Sequence, residues 1–188
     1  MSESIAVAEV NITAPKFELL DIYGRLISLE SYKGKKIFIG FFRHAGCPFC
    51  NLRVHTLSKY YEKFLEMNLH MIFFFESTQN VLLQSSFHKG TSPIPIISDP
   101  ERVWYNIYGI EQSVSKSNYS HLTQFIQTAI KAKLNNLPLH MMAGKESYST
   151  MPAEFLIDEM LIIRKIHHAQ HLNDRLTAES IENFAKNP

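Results

Sequence analysis

Ile37-Phe-Ile-Gly-Phe-Phe42-Arg43-His44-Ala-Gly-Cys47-Pro48-Phe49-Cys50 is an apolar run that breaks off into a C-x-x-C pair, and a helix-patterned stretch follows at once. The nearly continuous apolar positions 37–42 have the pattern of a strand buried on both faces, as in a parallel sheet. Beyond the pair, Leu57, Tyr60, Tyr61, Phe64 and Leu65 recur at three- and four-residue spacing, which predicts a helix with one apolar stripe over about 51–66. Cys47 and Cys50 are the only two cysteines of the chain, and they fall on the strand-to-helix junction. A helix N-terminus offers unpaired N–H groups and the positive end of a dipole, both of which favour a thiolate. The spacing therefore points to a thiol–disulfide centre. Two inert core cysteines, or half of a zinc site, are the competing readings of the same spacing.

Composition narrows the function classes. The 188 residues, 45% hydrophobic and 20% charged, suit one domain over 1–188 with a core of its own. A net charge of +1 gives no electrostatic ground for binding nucleic acid or an anionic membrane surface. No apolar run approaches the roughly 20 residues of a membrane-spanning helix. The first ten residues lack the basic and apolar regions of a secretory signal, so the cytoplasm is the expected compartment. Resting thiols are reduced there, which favours a reactive dithiol over a structural staple.

Working outward from the cysteines, Asp21 to Gly24 reads as a turn between two short strands, and Leu29 to Tyr32 as one helical turn ended by Gly34. Leu69 to Phe75 is a second central strand, and a strand–helix–strand unit of this length is a right-handed parallel crossover. Gln79 to His88 reads as a helix, Ile94 to Pro100 as a third strand entering a turn, and Arg102 to Tyr108 as a short helix capped by Gly109. From 111 to 150 the alternation is interrupted by an inserted segment whose Leu122, Phe125, Ile126, Ala129, Ile130, Lys133 and Leu134 predict an amphipathic helix. Its apolar face covers the core or else meets a partner, as a lid or a dimer contact, and Met141-Met142 would suit an adaptable contact. Ala153 to Asp158, Met160 to His167 and a helix over 177–185 close the chain, with Thr177-Ala-Glu-Ser as the helix start.

In this order the elements resemble an α/β thioredoxin fold with an N-terminal β-hairpin. The chain is similar to the peroxiredoxin-like branch of the alkyl hydroperoxide reductase/thiol-specific antioxidant family. The resemblance rests on Ala14-Pro-Lys-Phe-Glu-Leu-Leu-Asp21, on Tyr32-Lys-Gly-Lys-Lys36 leading into 37–42, on Ile96-Ile-Ser-Asp-Pro100 with Tyr108-Gly109, and on Met151-Pro-Ala-Glu-Phe-Leu-Ile-Asp158. It implies an antioxidant thiol enzyme without a cofactor or metal. Its partners would be a protein or low-molecular-weight thiol or disulfide, with a peroxide as the alternative substrate and a homodimer as a possible assembly.

The departures are as specific as the matches. The family places a Thr three residues before the peroxidatic Cys and an Arg near the start of the late strand. With Cys50 at that position, Cys47 stands where the Thr would be; with Cys47 there, His44 does. In either case the late-strand position falls near Pro152 and carries no Arg. Met151-Pro152 matches the thioredoxin-fold proline that faces the C-x-x-C and presents backbone to substrate.

Cys47, nearest the helix tip, is the expected nucleophile, more exposed and more acidic, with Cys50 as the resolving thiol one turn deeper. Arg43 and His44 would add positive potential, Pro48 and Phe49 lie within the motif near substrate, and Met151 and Pro152 complete the expected positioning set. Disulfide exchange ranks first and peroxide reduction second; a redox-inactive binding module is the third reading. Arg53 and His55 are expected on the solvated face of the helix, and Trp104 and Tyr108 in packing. Adjacent His167 and His168 point to opposite faces of a strand and do not share an ion with His171.

Overall fold

The computed structural model describes residues 8–85, 93–137 and 146–187. Strands β1 (Glu18–Leu20) and β2 (Leu26–Ser28) form the N-terminal antiparallel hairpin. Its turn is closed by Asp21, whose Oδ1 accepts the N–H groups of Tyr23 and Arg25 at 2.9 Å each. A 3-10 turn over Leu29–Tyr32 leads into β3 (Lys36–Phe41), all six residues of which are buried. β3 is the centre of a five-stranded sheet in the order β5-β4-β3-β6-β7. It runs parallel to β4 (Leu69–Phe75), which is in turn parallel to β5 (Ile96–Ser98). It runs antiparallel to β6 (Ala153–Ile157), and β7 (Ile163–His168) pairs antiparallel with β6.

Side chains alternate along β3 and divide the core into two layers. Phe38 and, beyond the strand, Phe42 join the layer that holds Cys47, Cys50, Val54 and Leu57. Ile37, Ile39 and Phe41 join the opposite layer with Phe17, Tyr105, Tyr108 and Phe155. There Phe41 lies 4.7 Å from the ring of Phe74 and about as close to Tyr105 and Tyr108, at 5.1 and 5.0 Å. Coverage on both faces explains the unbroken apolar run that the sequence shows. Trp104 and Tyr108 pack as expected, Trp104 edge-on to Phe17 at 5.6 Å and Tyr108 fully buried.

The helix expected over 51–66 is two helices, α1 (Pro48–Lys59) and α2 (Tyr61–Glu66), parted at Tyr60 with φ −94° and ψ 0°. α3 (Gln79–Gln84) occupies the described part of the predicted 79–88 helix, and His88 lies outside the described residues. α4 (Val103–Ile107) is followed by Gly109 at φ +68°, the left-handed position that glycine accepts without a Cβ penalty. α6 (Ala178–Lys186) starts at Thr177, whose Oγ1 accepts the Ser180 N–H at 3.0 Å.

The inserted helix α5 (Val114–Leu134) begins eight residues earlier than its apolar pattern suggested, with Ser113 as its cap. Its packing face is also the reverse of the obvious one. Ser117, Ser120, Thr128 and Ala132 are buried, while Leu122, Ile126, Ile130 and Leu134 are exposed. Small residues let the helix approach α1 closely, and their hydroxyls bond the neighbouring loops. Ser117 Oγ donates to the Tyr148 carbonyl at 2.7 Å, and Ser120 Oγ accepts the Leu172 N–H at 2.9 Å. Met141 and Met142 lie outside the described residues. Among the described residues no helix is long and apolar enough to cross a membrane.

With the sheet on one side and α5 on the other, α1 has little solvated face, and this overturns the expectation for Arg53. It is buried and bidentate to Glu154, Nε to Oε1 at 2.7 Å and Nη2 to Oε2 at 2.9 Å. His55 is half-buried.

Candidate active site

β3 delivers its chain directly to the cysteines. Phe42 N–H continues the ladder to the Phe74 carbonyl at 2.9 Å, and the next N–H, of Arg43, donates to Cys50 Sγ at 3.3 Å. The loop that follows is tied at Ala45, whose N–H donates to Ser77 Oγ at 2.7 Å while its carbonyl accepts Asn51 Nδ2 at 2.8 Å. Cys47 is the N-cap of α1 in extended conformation, and Pro48 takes the first helical position, where a missing N–H costs nothing. Cys50 follows in the first turn.

Both cysteines are free thiols, and both are buried. The expectation that Cys47 is the exposed one is therefore corrected: it is 1% exposed. Phe49, expected near substrate, is likewise buried, and its ring lies 6.4 Å from that of Phe125 of α5. The inserted helix closes over the motif.

The two thiols differ in acidity as their places predict. Burial opposes ionisation of Cys47, but a hydrogen bond from the Cys50 thiol, the charge of Arg43, the Cys50 N–H and the charge of Arg175 outweigh it and bring the thiol down to about 6. The Cys50 N–H acts here without closing into a well-formed capping bond. Arg43 is fully buried, with Nη1 3.9 Å from Cys47 Sγ and Nη2 donating to the Tyr148 carbonyl at 2.7 Å. Cys50 is pushed well above the ordinary thiol range, by burial first and then by its bond to, and the negative charge of, Cys47. The two shifts run in opposite directions and make Cys47 the more acidic thiol of the pair.

Arg175 is a site residue that the sequence did not disclose. It lies in the loop between β7 and α6, a segment whose Ala169, Leu172 and Leu176 pack in the same core layer as the cysteines. Its side chain is 9% exposed, and its Nε is 3.7 Å from Oε1 of the same Glu154 that grips Arg53. Nη1 donates to the Asp174 carbonyl at 2.7 Å, whereas Nε and Nη2 are buried without a hydrogen-bond partner. A guanidinium thus acts on the thiols from a position unrelated to the late-strand Arg that the resemblance implied and the chain lacks. Arg175→Met is expected to shift the pH midpoint of Cys47 oxidation upward, from about 6 towards the ordinary thiol range, measured as the pH dependence of single-turnover peroxide reactivity. An unmoved midpoint would refute the electrostatic role.

Met151 and Pro152 are buried just before β6, with Met151 in the cysteine layer and its N–H bonded to the Glu111 carbonyl at 2.9 Å. His44 is buried as well, but it lies 3.9 Å from Glu146 and is absent from the main charges acting on Cys47. At the far end of β7, His167 pairs with Asp174 at 2.9 Å. Among the described residues no group of three or more His, Cys, Asp or Glu side chains is placed to hold a metal.

Two solved structures share this fold at low sequence identity. The 2-Cys peroxiredoxin of Plasmodium vivax, in its reduced form, matches with a TM-score of 0.63 and 15% identity, covering 94% of this chain and 79% of its own. The peroxidoxin BcpB of Mycobacterium tuberculosis matches with a TM-score of 0.63 and 14% identity, covering 95% and 96%. No curated protein matches the sequence. The model of the AhpC/TSA family matches residues 10–166, most of the chain and all of the sheet but the end of β7. The chain belongs to the AhpC/TSA family and is a thiol-based antioxidant enzyme.

Proposed function

We propose that the protein is a thiol peroxidase in which Cys47 attacks a small hydroperoxide and Cys50 resolves the product. The observation that carries this reading is a buried Cys47 thiol, 3.9 Å from the Arg43 guanidinium and brought down to about 6, three residues from a Cys50 thiol pushed well above the ordinary range. A thiolate under Phe49 and α5 is reached by a small peroxide with far less rearrangement than by a disulfide on a folded protein. Cys47 takes one oxygen to become a sulfenic acid and the peroxide leaves as an alcohol or water; Cys50 then condenses with the sulfenic acid, releasing water and forming the Cys47–Cys50 disulfide. A thiol donor returns the pair to its reduced state, which suits a reducing compartment such as the cytoplasm.

Disulfide exchange, ranked first from sequence, is kept as the second reading because the acidity order, low at Cys47 and high at Cys50, is also that of an exchanging dithiol. Intact mass separates the two. Equimolar hydrogen peroxide is expected to remove two hydrogens within the first turnover, while oxidised glutathione acts far more slowly. Loss of two hydrogens with glutathione disulfide but not with peroxide would put exchange back in first place.

A further inference from the structure

Glu76 is a buried acid at the same site that the reaction above does not use. It follows β4 directly and is 1% exposed. Phe74 and Ala153 flank Phe41 in register, so two residues further along the end of β3 brings Arg43 between Glu76 on one side and Met151 on the other. Glu76 Oε2 accepts the Thr150 hydroxyl at 2.9 Å across that end. The Ser147 N–H also lowers the pKa of Glu76, and the carbonyl of the next residue, Tyr148, accepts from Arg43 Nη2 at 2.7 Å. The 147–150 strap is therefore held from one side by the acid and from the other by the guanidinium that faces Cys47. Glu76 Oε1 is buried with no hydrogen-bond partner.

Among the described residues, Glu146 is a second acid with a buried side chain at this end of the sheet, bonded to Ser77 Oγ next to Glu76 and 3.9 Å from His44 Nδ1. Arg43 faces Glu76 from the end of β3, and Arg102 from the start of α4, with Nη1 4.0 Å from Oε2. Tyr105 of α4 lies within the electrostatic reach of Glu76, Asp99 and Cys50. Burial is the dominant influence and raises Glu76 to about 7, against the Thr150 bond and the two arginines. In the reduced enzyme near neutral pH, Arg43 thus faces the Cys47 thiolate on one side and a carboxyl that holds its proton for much of the time on the other.

We propose that Glu76 is the replacement counter-charge of Arg43: it surrenders its proton when oxidation consumes the Cys47 thiolate. The proposal rests on Cys47 being the ionised nucleophile. In the first step the thiolate, the hydroperoxide and the Glu76 carboxyl become a Cys47 sulfenic acid, an alcohol or water, and the Glu76 carboxylate. One S–O bond forms and one O–O bond breaks, the sulfur is oxidised and the peroxide reduced. The proton required by the departing oxygen is matched by the one Glu76 gives up. One negative charge moves from sulfur to carboxylate beside a guanidinium that is buried in the reduced protein.

Counting protons tests this. Oxidising one thiolate and one thiol to a disulfide takes up one proton, whether the oxidant is hydrogen peroxide or diamide. With Glu76 releasing its own, the wild type at a pH between about 6 and about 7 is expected to take up close to none, and Glu76→Gln about one per disulfide, read with an indicator dye in weakly buffered solution. Equal uptake by the two proteins would overturn the proposal. Infrared difference spectra of the unsubstituted protein give a check that needs no variant: the band of a buried protonated carboxyl should be lost on oxidation, and its persistence would also overturn the proposal. If peroxide forms no disulfide while diamide does, it is the peroxidase reading that fails, and the diamide arm still decides the role of Glu76.

Discussion

Glu154→Ala is expected to destabilise the reduced protein by about 3–5 kcal/mol, the cost of breaking a buried ion pair from one side. Glu154 is fully buried on β6 and is the only carboxylate in contact with both Arg53 and Arg175 among the described residues. It also accepts the Leu176 N–H at 2.9 Å. Its loss leaves two guanidinium charges in a layer of apolar side chains and an N–H of the β7–α6 loop without its acceptor. Neither arginine escapes to water easily, because α1 is held between sheet and α5 and Arg175 is 9% exposed. Urea unfolding of wild type and variant, compared at midpoint and slope, measures the effect. A loss below about 1 kcal/mol would mean that water reaches the arginines in the variant. Glu154→Gln keeps two oxygen- or nitrogen-bearing contacts and should fall between, so the series separates charge from shape.

Cys47→Ser is expected to abolish peroxide consumption, by about a thousandfold or more, since the reacting atom itself is removed. Cys50→Ser should behave differently. Cys47 remains and completes one attack, so a sulfenic acid accumulates and is trapped by a dimedone-type probe, but no disulfide forms and turnover stops unless an external thiol resolves the product. Cys50→Ala, which also removes the side-chain hydrogen bond that most favours the Cys47 thiolate, should move the pH midpoint of that single attack upward from about 6. Below the midpoint the sulfur is protonated and slow; above it the rate reaches a plateau. If Cys50→Ser lost the first oxidation while Cys47→Ser kept it, the two assignments would exchange places.

The parts of this molecule that were legible from sequence are those written in local pattern. The apolar run 37–42 gives β3 because both faces of the sheet are covered, and Thr177-Ala-Glu-Ser gives the start of α6 because a capping hydroxyl bonds an N–H three residues on. The placement of the C-x-x-C pair at a strand-to-helix junction was legible for the same reason, its strand and its helix being continuous with it. What was not legible is set by partners distant in the chain. Arg53 reads as a solvated helix residue until Glu154, a hundred positions later, is placed under it. Arg175 stands in a polar loop with no periodicity, and Glu76 looks like the end of a strand. The absence of the two family helpers and the charge of Arg43 could be read directly, but the guanidinium that acts on the thiols from the β7–α6 loop could not. α5 misled in a further way, because a serine is the better packing residue wherever a helix must come close and bond a loop, and hydrophobic periodicity is blind to that.

The clamping of α1 between the sheet and α5 also divides the molecule by the rate at which it opens. Amides of a helix covered on two sides exchange with solvent mainly through global unfolding, whereas those of an outer helix held by a few serine hydroxyls exchange through small local openings. The chemistry proposed for Cys47 and Cys50 is therefore expected in a slowly exchanging unit, and the opening that admits substrate in α5, an order that amide hydrogen exchange measures. Reactivity and access are assigned to different cooperative units, so a substitution on the outer helix can change how often the site is visited without changing what happens there.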